Sequence, residues 1–358
     1  MKRKKICTGM LSLLLAFAFA VLPAAGGFGS AVYADTEDVV GGLMSGGKEY
    51  ITHCEAGILY EATTDTVLYE KNADEQLVPA SMTKVMTAIL ALEANPDMEG
   101  TVTVPEDAVN PYYCSWMNGE HLFAGETVEW NTLLEYMLEL SANEAASTIA
   151  FTLCDDIHDF VDMMNEKAEE LGCENTKFAD PHGLSSANKT TPRDMIKICQ
   201  YAMTFDKFRD AVQGAGGEIP ASEYRRTPLE YYNINALMFP DDRYDSPYAE
   251  YMTGVKTGST PAAGYCFSGC MEKDGLVYYS CVMRGDEEMY EDGERIIQGD
   301  FRDTIELYEL TDGLTYDSLM AEKGPSTGLI VGIVVAVVVV AGAAFVIIKK
   351  RKKPGEEK

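Results

Sequence analysis

Apolar positions change period along the chain, and the changes mark out its elements. Ala56 to Tyr60 and Thr66 to Glu70 are short β-prone runs on either side of Thr63-Thr64-Asp65, the pattern of a hairpin. Met82, Val85, Met86, Ile89 and Leu90 then fall at i, i+3, i+4, i+7 and i+8, which predicts a helix ended by Asn95-Pro96. Trp130, Leu133, Leu134, Met137 and Leu138 repeat that spacing in a second helix, broken at Ser141-Ala142-Asn143. A third begins at Glu144, with Ala145, Ala146, Ile149, Ala150 and Leu153 apolar. Beyond the polar loop from Phe178 to Pro192, the stretch from Arg193 to Met203 reads as helical. Residues 211–250 are rich in Tyr, Gly, Pro and Asp without a clean period and are expected to be long loops. Gly264 to Met271 and Leu276 to Met283 flank Lys273-Asp274-Gly275, a second hairpin, and Phe301 to Leu310 is a final helix. Strands at both ends with helices between them imply an α+β fold. In it an antiparallel sheet brings its terminal strands together, flanked by helices with an all-helical subregion.

The chain ends change the picture from a bare domain to an exported one. Lys2, Arg3, Lys4 and Lys5 precede an apolar run from Met10 to Leu22, and Val32-Tyr33-Ala34 presents small residues where a signal peptidase cuts, so residues 1–34 read as a signal peptide. Gly328 to Ile348 is uncharged and long enough to cross a hydrocarbon core of ~30 Å as a helix. Lys349, Lys350, Arg351, Lys352 and Lys353 follow it, which places the tail 349–358 in the cytoplasm and the preceding chain outside. Between these ends lie a polar leader (35–53), a domain (54–310) and a stalk (311–327) short enough to hold that domain close to the membrane.

Charge excludes some partners. Set the four basic residues of the signal and six of the tail apart from the 29 in the chain, and the two tail glutamates from its 57 acidic groups. The exported part is then near −36, which repels nucleic acid and anionic lipid. Nine cysteines are present and Cys7 leaves with the signal; the other eight are scattered, without the Cys-x-x-Cys pairs of a zinc site. Cys154, Cys199 and Cys281 sit in apolar runs and are expected to be small core residues. His53, His121, His158 and His182 have no metal-binding spacing either, so no metal or cofactor is expected.

Three short motifs carry the candidate chemistry. In Pro79-Ala80-Ser81-Met82-Thr83-Lys84 a serine starts a helix and a lysine follows one turn later, so a neutral amine can take the serine proton. The free backbone N–H of Ser81 at the helix start can face an oxyanion. The spacing alone is weak, since Ser45-Gly46-Gly47-Lys48 and Ser186-Ala187-Asn188-Lys189 share it, but neither has an amphipathic helix behind it. Ser141-Ala142-Asn143 lies at the break between two helices, where a hydroxyl and an amide can project into a cleft. Taken alone it is equally a helix stop and restart. Lys256-Thr257-Gly258 precedes the second hairpin and puts a cation and a hydroxyl on an edge strand that a peptide can approach, although taken alone the triplet reads more readily as a surface turn.

Together, in this order, the motifs resemble those of the low-molecular-mass penicillin-binding proteins, the serine D-Ala-D-Ala carboxypeptidases, over roughly residues 54–310. Leu68-Tyr69-Glu70-Lys71-Asn72, Asp180-Pro181-His182-Gly183-Leu184 and Gly254-Val255-Lys256-Thr257-Gly258, leading into Ala263-Gly264-Tyr265, extend the resemblance. It implies the penicillin-binding/β-lactamase-like transpeptidase fold. It makes Ser81 the acylated nucleophile, Lys84 its proton acceptor, and Ser141 and Asn143 residues of the cleft. Lys256 and Thr257 become the binders of a terminal carboxylate, next to Gly258, and the N–H groups of Ser81 and Ser259 the oxyanion hole. The implied substrate is the peptidoglycan stem peptide, with β-lactams as covalent inhibitors. Burial and the nearby Lys256 are expected to lower the proton affinity of Lys84. A further cation for the carboxylate is left among Arg284, Arg295 and Arg302. Ser259 departs from the family, in which an aromatic residue or histidine commonly follows Lys-Thr-Gly.

Three other readings compete. A β-lactamase needs a glutamate-bearing loop to activate the deacylating water, and the loop Phe178 to Leu184 has none. A penicillin sensor needs a receiving domain beyond the membrane span, where only the tail to Lys358 follows. A wall-binding protein, for which the tyrosines at 231, 232, 244, 248 and 251 would serve, has no use for three ordered motifs.

Overall fold

The computed structural model describes residues 48–110, 114–115, 120–240, 244, 246–289 and 296–323. The expected signal peptide, membrane span and tail lie outside the described residues. Among those described, no helix is long and apolar enough to cross a membrane.

In chain order the elements are β1 (Cys54–Glu61), β2 (Thr66–Lys71), α1 (Lys84–Ala94), β3 (Thr101–Thr103), β4 (Thr127–Glu129), α2 (Trp130–Glu139), α3 (Asn143–Leu153), α4 (Ile157–Glu170), α5 (Pro192–Ala202) and α6 (Asp206–Gln213). There follow β5 (Gly216–Ile219), β6 (Leu229–Tyr232), β7 (Met252–Thr260), β8 (Gly264–Lys273), β9 (Leu276–Gly285), β10 (Glu287–Met289), β11 (Ile296–Gln298), α7 (Gly299–Tyr308) and α8 (Tyr316–Lys323). Five strands form one sheet in the order β2-β1-β9-β8-β7, every neighbouring pair antiparallel. Ile58 stands opposite Cys281 and Thr257 opposite Phe267, so the two ends of the domain do meet in one sheet, with β7 at its edge.

Both faces of the sheet are covered, which explains why β1 is buried along nearly its whole length rather than on alternate residues. Ile58 and Cys281 face a core shared with the helices between β2 and β5; Leu59 and Val282 face a second core closed by Phe301, Leu307 and Tyr308 of α7. Helix α1 runs through the first core, with every residue from Lys84 to Leu92 buried. Thr87, Ala88 and Ala91 complete its circumference with small side chains, so neighbouring helices approach it from all sides. Its burial is what carries Lys84 away from water.

Two stretches differ from expectation. Within residues 211–250 the structure has the end of α6 and the β5–β6 hairpin, too short and too rich in glycine and tyrosine to announce a period. The stretch expected to be a stalk begins with packed chain: Leu314 and Leu319 are buried in the second core, and α8 occupies residues 316–323.

Candidate active site

Ser81 is set in a single turn of 3-10 helix, Ala80–Thr83, that runs into α1, rather than at an α-helix N-terminus as the motif implied. The turn is entered through Ala80 at φ 50°, a left-handed conformation costly for a residue with a Cβ. Two glycines hold it from either side. Gly183, at φ +92°, lies so close that an added Cβ would sit 1.9 Å from the Ala80 carbonyl oxygen, and on Gly258 of β7 it would sit 3.1 Å from the Ser81 nitrogen. Turn and edge strand are therefore in backbone contact, with the Ser81 amide beside the strand.

Lys84 is fully buried, and its amine meets three oxygens: Ser81 Oγ at 2.9 Å, Asn143 Oδ1 at 2.8 Å and the His182 carbonyl at 2.8 Å. The last two can only accept. A neutral amine has two N–H bonds, and once these are donated to the Asn143 and His182 oxygens its lone pair is left for the Ser81 hydroxyl proton. Burial lowers the Lys84 pKa to about 7, against the opposing charges of Asp180 and Glu144. The expected influence of Lys256 appears on the other partner. Lys256, also fully buried, is pushed well below the usual lysine range by burial first and by the Lys84 charge second. Among the described residues its amine reaches only the carbonyl (3.1 Å) and hydroxyl (3.4 Å) oxygens of Thr257.

The Ser141-Ala142-Asn143 triplet is the turn between α2 and α3, with Ser141 at φ 70°. Ser115, which no motif marked, braces it: its hydroxyl accepts the Asn143 N–H at 3.1 Å and donates to the Ser141 carbonyl at 3.3 Å. Ser81, Ser115, Ser141, Thr257, Gly258 and Ser259 line one cleft of about 650 Å³. Lys84 and Asn143 stand behind Ser81 in the wall. Tyr232, Asn233 and Ile234, at the end of the β5–β6 hairpin, line the same cleft, as do Tyr265 and Gln298.

The loop that supplies the His182 carbonyl is organised by Asp180, whose carboxylate accepts the backbone N–H groups of His182 (2.9 Å), Gly183 and Ser185. Burial pushes Asp180 up, but the His182 side chain and the amides of Gly183 and Ser185 outweigh it and hold the carboxyl far below its usual range. Asn188, within the Ser186-Ala187-Asn188-Lys189 stretch that shares the serine-lysine spacing, is a buried brace of this loop, accepting from Ala179 N at 2.7 Å. His182 enters the site through its main chain, while its imidazole rests 3.2 Å from Asp180.

The structure places two of the three candidate arginines. Arg284 pairs with Glu55 at 3.1 Å, Arg302 pairs with Glu288, and Arg295 lies outside the described residues. Among the described residues no arginine lines the cleft, and no group of His, Cys, Asp and Glu could hold a metal.

The site can be compared with known proteins. The D-alanyl-D-alanine carboxypeptidase family profile matches residues 47–287. The D-alanyl-D-alanine carboxypeptidase DacF of Bacillus subtilis is 28% identical over 232 residues, 64% of this chain and 57% of the relative, so the chain spans little more than half the length of that protein. Among solved structures, a Streptomyces DD-transpeptidase superposes with TM-score 0.62 at 26% identity, over 73% of this chain and 98% of that one. A penicillin-binding protein of Listeria monocytogenes in the ampicillin-bound form superposes with TM-score 0.57 at 25% identity, over 74% and 99%. With the fold, the ordered motifs and a match across residues 47–287, this chain belongs to the D-alanyl-D-alanine carboxypeptidase family.

Proposed function

We propose that the domain is a serine D-Ala-D-Ala carboxypeptidase that trims the terminal D-Ala from peptidoglycan stem peptides and is acylated by β-lactams at Ser81. The observation that carries it is the buried Lys84 amine 2.9 Å from Ser81 Oγ, its N–H bonds taken by Asn143 and His182 oxygens. As Ser81 Oγ attacks the carbonyl between the two D-Ala residues, its proton passes to the Lys84 lone pair. The oxyanion is stabilised by the N–H groups of Ser81 and Ser259. The C–N bond then breaks, the leaving amine takes a proton, and water later hydrolyses the ester. Lys256 and Thr257 receive the substrate's terminal carboxylate, whose charge compensates that of the buried ammonium. Ampicillin in the Listeria relative supports the β-lactam part of the reading.

Fluorescent penicillin followed by mass spectrometry tests this. Ser81→Ala should lose both the label and D-Ala release from a stem-peptide mimic while melting cooperatively, and an adduct on a peptide lacking Ser81 would sink the assignment.

The same reading includes a location. Residues 1–34 export the chain, 328–348 span the membrane and 349–358 face the cytoplasm, which is supported by the uncharged run from Gly328 to Ile348 and the basic cluster after it. A chain ending at residue 326 should appear in the medium as an active protein; retention in washed membranes speaks against the span.

A further inference from the structure

Helix α3 begins with Asn143, and the next residue, Glu144, is a carboxylate only 1% exposed. Its Oε1 accepts the Tyr136 hydroxyl at 2.9 Å and its Oε2 accepts the Ser115 N–H at 2.9 Å. Both partners are neutral donors, so neither cancels the charge. Burial, with the Glu144 charge second, pushes the Tyr136 phenol far above its usual range and keeps it a donor. Ser115 in turn joins the Asn143 N–H to the Ser141 carbonyl, and Asn143 Oδ1 receives the Lys84 amine. A continuous set of hydrogen bonds thus runs from α2 through Glu144 to Lys84.

The charged and titratable groups around the amine come from every side. Asp180, with His182 against it, lies in the loop; Lys256 is on β7; Glu144 is on α3. Tyr136 and Cys114 face Glu144, and Asp107 lines the small cavity of about 200 Å³ behind Asn143.

Resting on the acyl-enzyme reading above, we propose that Glu144 is a positioning residue for Lys84. Through Ser115 it fixes the turn from Ser141 to Asn143 that orients the amine, and its charge opposes, from the α3 side, the cost of burying that amine in its protonated form.

The test is the pH dependence of acylation by a fluorescent penicillin, measured on the full chain in detergent with melting curves alongside. Glu144→Gln removes the charge and keeps the shape, so the acid limb should move down by about half a pH unit. Glu144→Asp keeps the charge and should leave the limb within about 0.2 units while slowing the reaction. Ser115→Ala should slow acylation ~10-fold without moving the limb. If Glu144→Gln does not melt cooperatively, Tyr136→Phe decides: with one hydrogen bond fewer the carboxylate is less screened, and the limb should rise. An unmoved limb in a folded Glu144→Gln, or in Tyr136→Phe where that stands in, overturns the proposal, as does an Asp variant that shifts as far as Gln. Failure of the parent reading is visible first, in a wild-type adduct that is not on Ser81.

Discussion

In the proposed reaction, Lys84 is a base because of the company of its other two bonds. A lysine whose amine touched three hydroxyls could rotate its lone pair anywhere, but an amide oxygen and a carbonyl oxygen, both at 2.8 Å, accept only. The ammonium form satisfies all three oxygens and the neutral form satisfies two while accepting from Ser81. Burial tips this balance, lowering the pKa to about 7. The sign for activity follows: below that midpoint the amine has no lone pair, so acylation by penicillin should rise with pH through about 7 and level off above it. Lys84→Arg keeps the positive charge but never becomes neutral, and should slow acylation by ~10²–10⁴-fold while the protein still melts cooperatively. A pH-independent rate between pH 5 and 9, or an arginine variant near wild-type speed, would remove Lys84 from this role. Ser81, Lys84, Asn143 and Lys256 could be singled out in the sequence because their side chains are what the proposed chemistry needs. The His182 carbonyl was not, since every residue has one, and Ser115 was not, because its value depends on a loop path that no periodicity encodes. The ion-pair partners of Arg284 and Arg302, Glu55 and Glu288, were not legible either, because they depend on how the chain folds back.

At the scale of elements, the site is a junction of four pieces that share almost no sequence proximity: the 3-10 turn before α1, the turn from Ser141 to Asn143, the loop around Asp180 and the edge strand β7. Glycine makes the junction possible where backbone meets backbone. Gly183 is the tightest point, since it combines φ +92° with a Cβ position only 1.9 Å from the Ala80 oxygen. Ala80 is itself held at φ 50°, so displacement of the loop would release the turn that presents Ser81. Gly183→Ala should therefore cost ~1–3 kcal/mol of stability and lower the acylation rate by more than the melting shift alone accounts for. Parallel melting and labelling curves check this, and a variant that loses stability but labels at the wild-type rate would show that loop and turn are independent. The hairpins β1–β2 and β8–β9 were legible from their turn residues, and the meeting of β1 with β9 from strands standing at both ends of the domain. The β5–β6 hairpin was hidden: its four-residue strands are joined by a long connection, and Gly216 and Gly217 carry no side chain to mark a face.

At the scale of the whole molecule, the cysteines set the two-sided core against the proposed location. Outside the cell thiols tend to pair, yet Cys54, Cys114, Cys154, Cys173, Cys199, Cys266, Cys270 and Cys281 are all free in the structure. All but Cys154 are buried, so Cys199 and Cys281 are the small core residues that their apolar runs implied, while Cys154 is only half-buried. Burial also governs their reactivity, because a thiol must ionise to attack a disulfide or an oxidant. It pushes Cys114, Cys173 and Cys199 up to about 12 and Cys270 to about 11, so in the compartment proposed above little thiolate would be present to start a disulfide. Denaturing the domain without reductant in the presence of a maleimide should therefore label all eight cysteines. In the native state Cys154 should react first, and mild reductant should leave penicillin acylation within about two-fold, since no bond is there to break. A labelling count of six or fewer would require a disulfide among these residues. Activity lost on reduction and regained on reoxidation would further show that such a disulfide holds the site together.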